Sequence, residues 1–320
     1  MYSITVSGNG QQATATATVT VTGGAAPGTL LATVDVGNYP EGVAVNQTTN
    51  RIYVANWNDD TVSVLDGETN TVLDTLTVGN APHGVAVNPT TNRAYVANYQ
   101  GDTVCVIDGE TNTVLATVPV GYNPVGVAVN PTTNRVYVAN TNSNAVSVLN
   151  GETNSVLATV AVGTGPYEVA VNPTTNRVYA ANFGGNTVSV IDGGTNTVIA
   201  TVPVGNLSYG VAVNQTTNRV YVTNSNDNTV SVLDGSTNTI LATVPVGSAP
   251  MEVAVNPITN RVYVCNVGAN TLSVIDGGTN TVIATAPTGS QPIGIAVNPT
   301  TNRVYEANSH DNTVRVIQGY

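Results

Sequence analysis

Asn130-Pro131-Thr132-Thr133-Asn134-Arg135-Val136-Tyr137-Val138-Ala139-Asn140 returns with few changes from Asn46, Asn88, Asn172, Asn214, Asn256 and Asn298. Its arginine slot is filled by Arg51, Arg93, Arg135, Arg177, Arg219, Arg261 and Arg303, each 42 residues after the last (93 − 51 = 42). A tyrosine stands two residues beyond every one of them, from Tyr53 to Tyr305. A fixed period of this length marks a chain built from stacked copies of one supersecondary unit.

Working outward from that stretch, one period reads as four short strands, named a to d from the inside out: Gly42 to Val45, Arg51 to Ala55, Thr61 to Leu65 and Thr71 to Val78. Turn residues bound each of them: Asn46 to Asn50, Trp57 to Asp60, Asp66 to Asn70, and Gly79 to Pro82 before the next copy. A lone four-stranded sheet leaves two apolar faces wet, so copies must stack, and radially stacked twisted sheets close into a ring. The expected fold is therefore an all-β, seven-bladed β-propeller with four antiparallel strands per blade.

The ends of the array indicate how the ring closes. It begins with a d-type segment, Leu30 to Val36, and finishes with a c-type segment, Thr313 to Ile317. Pairing the two completes the last blade with an N-terminal d-strand beside three C-terminal strands, and hides two strand edges that would otherwise recruit partners.

Composition agrees and removes several classes of function. The 320 residues carry 8 basic and 19 acidic side chains, a net charge of −11, with no lysine, one Phe and one Trp. Such a chain repels phosphate backbones and anionic headgroups, so nucleic acid is not an expected partner. No apolar run approaches the roughly 18 residues that a membrane-crossing helix needs, so no membrane insertion is expected.

Tyr53-Val54-Ala55-Asn56, Tyr221-Val222-Thr223-Asn224 and Tyr263-Val264-Cys265-Asn266 resemble the signature of the YVTN family of β-propeller repeats, over Thr29 to Tyr320. The resemblance implies a surface-layer-like, extracellular or cell-surface protein, often carried beside immunoglobulin-like modules. Residues 1–26 fit that setting. Tyr2 to Ser7 and Ala13 to Val21 read as a β-hairpin around Gly8-Asn9-Gly10 and look like the last two strands of an immunoglobulin-like domain, with the propeller occupying 27–320.

Repeats supply their own control, because a slot filled identically in seven blades serves geometry and a slot that differs is free to serve a site. The a-to-b and c-to-d connections hardly vary. Counting back from the four-residue b-to-c turn places Arg51 opposite Asp66, and likewise around the ring, as cross-strand pairs worth about 0–1 kcal/mol each. In the last copy Glu306 and Arg315 replace an apolar residue and a serine and fall opposite one another, so a compensating ion pair is expected there. Cys105 and Cys265 occupy different slots of different copies and are expected to be free thiols.

Variation gathers in the d-to-a and b-to-c connections, which emerge on one rim. The slot before strand a reads Glu41, His83, Val125, Tyr167, Tyr209, Met251 and Ile293, and the next is glycine except at Glu168 and Glu252. The b-to-c loops add Trp57, Tyr99, Phe183 and His310, with Asp59, Asp60, Asp102, Asp227 and Asp311. Aromatic rings on rigid loops offer stacking surfaces for sugars and peptide side chains. Glu41, Trp57, His83, Tyr99, Tyr167, Phe183, Tyr209, Met251 and His310 thus form the candidate ligand-binding face, for a glycan, peptide or protein partner.

The chain carries no Gly-x-Ser-x-Gly elbow, His-Glu-x-x-His or phosphate loop, so binding or scaffolding is favoured over catalysis and no catalytic residue is assigned. The alternatives are a metal-assisted lyase or hydrolase centred near His83 with Glu41, Glu168 and Glu252, and a structural surface-assembly subunit that self-assembles through the N-terminal hairpin. No cofactor is predicted, while the acidic loops leave calcium or magnesium open. Asn-x-Ser/Thr matches at Asn46, Asn206 and Asn214 read as by-products of the repeat.

Overall fold

The computed structural model describes residues 4–8, 11–15 and 25–320. The repeat region is a seven-bladed propeller, each blade an antiparallel sheet of strands in the order a-b-c-d. Blade 1 consists of Pro40–Asn46, Arg51–Asn56, Thr61–Asp66 and Thr71–Thr77. Each strand a packs on strand a of both neighbours, and the seven form a closed circle around the axis. Val, Ile and Thr suit the strands because β-branched side chains pack on a pleated surface. Asparagine is abundant because the turns require left-handed backbone, as at Asn50 (φ 54°) and Asn70 (φ 56°), which few other L-residues tolerate.

Blade 7 joins Pro292–Asn298, Arg303–Asn308 and Thr313–Gln318 to the N-terminal Leu30–Asp35, with Thr33 opposite Arg315. Closure follows the expected pairing. The hydrophobic core lies between blades: Tyr179, Val188 and Val190 of blade 4 pack with Val211, Val220 and Val222 of blade 5. Every strand-b tyrosine from Tyr53 to Tyr305 is at most 1% exposed, so each blade anchors its neighbour through a large buried ring.

The expected register holds, with Arg51 opposite Asp66 and the other six arginines opposite their counted partners. The ion pairs do not follow from it, and this corrects the role read for the arginines. Only Arg261 meets its partner, Asp276, at 2.7 Å. The other six donate to a glycine carbonyl in the next blade: Arg93 to Gly151 at 2.6 Å, Arg177 to Gly235 at 2.5 Å, and Arg51, Arg135, Arg219 and Arg303 to Gly109, Gly193, Gly277 and Gly67. The aspartates accept backbone N–H bonds within their own turns instead, as Asp66 does from Glu68 and Thr69 at 2.8 Å.

A second ring lies on the same rim. Asn46 donates to Asn92, Asn88 to Asn134, Asn130 to Asn176, Asn172 to Asn218, Asn214 to Asn260, Asn256 to Asn302 and Asn298 to Asn50, all at 2.7–2.9 Å. Each blade is thereby linked to the next and the seventh to the first. Asn46 and Asn214 are fully buried in this ring, which removes them as sugar acceptors in the folded protein, whereas Asn206 is exposed.

Cys105 and Cys265 are free and buried. Glu306 and Arg315 do stand opposite one another, but they form no ion pair: the guanidinium donates to the Pro287 carbonyl at 2.8 Å. Among the described residues Glu306 Oε2, fully buried, has no hydrogen-bond partner. Lastly, the N-terminal hairpin pairs Ile4–Gly8 with Gln11–Ala15, so its second strand starts earlier than expected; residues 9–10 and 16–24 lie outside the described ones.

Candidate functional site: the mouth of the central channel

On the variable rim the loops are held by a repeated staple. The last residue of each b-to-c loop accepts a hydrogen bond from the backbone N–H of a left-handed residue in a d-to-a loop: Asp60 from Ala81 and Asp102 from Asn123 at 2.8 Å, Asn312 from Tyr39 at 2.9 Å. Asp59, Asp227 and Asp311 serve likewise, accepting from the N–H of Asn38, Asn206 and Ser290. The loop aspartates grouped with the ligand face are therefore turn fasteners; hydrogen bonds from the backbone and side chain of Asn38 hold the Asp59 carboxyl below the usual range, and those from the side chain and backbone of Asn206 do the same for Asp227.

Strand a brings the next slots to the channel. Glycine at 42, 84, 126, 210 and 294 is dictated by close approach, since a Cβ at Gly42 would overlap the His83 carbonyl oxygen and one at Gly294 that of Glu41. In blades 4 and 6 this narrow ring carries Glu168 and Glu252 instead. Together with Glu41 and His83 they line a cavity of about 160 Å³ whose remaining walls are glycine, valine and isoleucine, including Val43, Val127 and Val253.

Glu41 Oε2 lies 2.8 Å from His83 Nε2, and the same nitrogen is 3.0 Å from the Tyr167 hydroxyl. Nε2 thus stands between two partners: unprotonated it accepts from the Tyr167 hydroxyl, and protonated it faces the Glu41 carboxylate as an ion pair. Burial pulls the His83 imidazole down, but the Glu41 carboxylate, with Glu252 behind it, outweighs that and raises its pKa. Burial raises Glu168 well above the carboxylate range, helped by the charge of Glu252. Burial likewise lifts Glu252 to about 7, against the pull of His83. The channel mouth is thus one electrostatic unit of three carboxylates and one imidazole.

Around it runs an arc of rings. Tyr99 meets Trp57 (centroids 5.2 Å apart), Trp57 meets His83 edge-on (5.6 Å), and His83 meets Tyr167 edge-on (5.4 Å). Tyr167 continues to Tyr209 (4.8 Å) and Phe183 (6.4 Å), which touch each other at 4.8 Å. His83 is buried and the others are half-buried, so the arc keeps an accessible side. Two candidate residues stand apart: exposed His310 packs near Tyr39 (5.9 Å), and half-buried Met251 makes no ring contact of this kind.

Seven of the nine candidates therefore converge, and two residues that matter, Glu168 and Glu252, lay outside the candidate face. Their signal was the break in the glycine slot. Among the described residues no group of three or more His, Cys, Asp or Glu side chains is placed to hold a metal ion, although His83 and Glu41 do meet.

Fold and rim together define a seven-bladed β-propeller repeat protein whose two faces differ in kind. Residues 122–149, within blade 3, match the NHL repeat. In solved structures the chain is similar to Kuenenia stuttgartiensis hydrazine synthase, with a TM-score of 0.81 and 18% sequence identity, over 93% of this chain and 98% of that one. At that identity the likeness shows the fold alone, and with 1636 matching chains the architecture selects no activity. Among curated proteins none matches.

Proposed function

We propose that the propeller is a binding scaffold at the cell surface or outside the cell, taking up a peptide or an extended protein segment across the channel-mouth rim. The continuous arc Tyr99-Trp57-His83-Tyr167-Tyr209/Phe183 carries the reading. Six rings from four blades meet at one opening, while the opposite rim repeats the same Asn–Asn hydrogen bond around the whole circle. Stacked rings supply a large contact area at little conformational cost, and rigid blades hold them in place before a partner arrives. The surface location is supported by the resemblance of the repeats to the YVTN family and by the N-terminal hairpin.

The test is a peptide and glycan array probed with the wild-type chain and with a variant carrying Trp57→Ala, Tyr167→Ala and Tyr209→Ala. Peptide binding by the wild type that the folded variant loses is the expected result. Equal binding by both, or none by either, would sink the assignment; glycan spots alone lighting up would move the ligand class to carbohydrate.

A further inference from the structure

We propose that the channel mouth seats a lysine or arginine side chain of a partner polypeptide, its cationic head among Glu41, Glu168 and Glu252 and its alkyl stem along the valines of the cavity wall. This rests on the reading of the rim as a peptide-binding face and adds which side chain enters.

Shape comes first. The cavity opens beside His83, whose ring touches both Trp57 and Tyr167, so a chain crossing the arc passes over the opening. At about 160 Å³ it accepts one long side chain and little else. Its composition is that of a snorkelling lysine in reverse, apolar along the wall and charged at the carboxyl groups.

Charge selects the head. Glu41 is 7% exposed, and its Oε2 faces His83 Nε2 at 2.8 Å from the cavity wall, so an entering cationic head would share that carboxylate with the imidazole. Glu168 Oε1 accepts from the N–H of its neighbour Val169 at 3.0 Å and from no other group among the described residues. A neutral sugar or amide would supply hydrogen bonds but leave the buried carboxyls without a counter-charge, whereas a cation offsets the cost of ionising them. A compact divalent ion suits the site less, since no three ligating groups converge among the described residues. Cation–π attraction to the rings and the overall charge of −11 favour the same partner.

The head cannot come from this chain. It contains no lysine, and its arginines are occupied elsewhere: seven lie at the start of strand b on the opposite rim and Arg315 donates to Pro287.

Trp57, the single tryptophan, sits beside the opening and reports occupancy by its fluorescence. The probes are the peptide Gly-Gly-Lys-Gly-Gly, the same peptide with acetyl-lysine, and calcium chloride. The expected result is saturable titration by the lysyl peptide in the millimolar range, at least about tenfold weaker binding of the acetylated one, and no response to calcium. Glu168→Gln and Glu252→Gln, near-isosteric and checked by thermal melting, should erase the preference for lysine. Equal binding of both peptides would overturn the cation seat while leaving the rim assignment standing. A response to calcium alone would also overturn it, and failure of every peptide would overturn both readings.

Discussion

The two rims of the ring descend from the same repeat and have diverged to opposite degrees. On one, the Asn-to-Asn chain of hydrogen bonds recurs seven times and the Arg-to-glycine bond six times. On the other, the second position of strand a holds a different residue in most blades, and rings, carboxylates and aliphatic groups alternate. Repetition is therefore a record of what closure demands, and divergence shows where closure demands nothing. If that is right, damage to the first rim should be read as lost stability and damage to the second as lost binding.

The sharpest contrast uses one residue type in two places. Tyr179 is fully buried among residues of two blades, and its hydroxyl is 3.4 Å from the Gly235 carbonyl. Tyr179→Ala should cost about 4 kcal/mol, the usual range for emptying an aromatic core site. Half-buried Tyr209, on the variable rim, should cost no more than about 1–2 kcal/mol on the same change. Denaturant melts of the two variants check the difference, and equal losses would mean that the arc is core packing.

How much of this was legible in the sequence depends on the distance over which each residue acts. Strand order, register and closure by Leu30–Asp35 came from counting within one period, because a four-residue turn fixes what lies opposite. The guanidinium of Arg51 ends 58 residues away at Gly109, in a blade the count never reaches, so a correct register led to the wrong partner. The loop aspartates were misread for a similar reason: their bonds run 21 residues forward, as from Asp60 to Ala81. At the candidate site the diversified slot pointed to His83, Trp57 and Tyr167. The slot after it, glycine in five blades, had entered only through the alternative that groups Glu168 and Glu252 with His83 and Glu41, and the assembled ring places these side chains along one cavity.

Glu306 tests the comparison from the inside, since it is a divergent residue in a core slot where the other six blades have Val or Ala. Burial lifts its pKa from 4.5 to about 7, against the weaker pull of Arg315. The folded protein holds this proton more tightly than the unfolded chain, so stability from this group is greatest below pH 4.5. It is lost as the pH rises from there through about 7, by about 3 kcal/mol in all. Glu306→Val should accordingly stabilise the propeller by that amount more at pH 8 than at pH 4. Melts of variant and wild type at both values isolate it from Glu252, which both proteins share. A pH-independent difference would mean that the carboxyl titrates in the fold as it does in the unfolded chain.

The smallest expected effect concerns two arginines that occupy one slot but do different things. Arg219 donates to the Gly277 carbonyl of the following blade, a charge-assisted bond at a part-buried interface. Arg261 would find its equivalent at Gly319, but there the array meets its seam. Gly319-Tyr320 follows strand c where the other blades have a c-to-d turn, and the Gly319 carbonyl accepts from Asn302 Nδ2 at 3.0 Å. The Tyr320 N–H donates to the Tyr263 hydroxyl at 2.9 Å, and Arg261 turns back to Asp276. Arg219→Ala should therefore cost about 2 kcal/mol, typical of a bond to a charged donor. Arg261→Ala removes only a partly exposed ion pair within its own blade and should cost less than about 1 kcal/mol. A gap of this sign in denaturation midpoints would place the inter-blade bond, and not the cross-strand pair, as the reason the arginine recurs. Equal costs would return the slot to its within-blade explanation, and the seam would then be mechanically no different from the other joints of the ring.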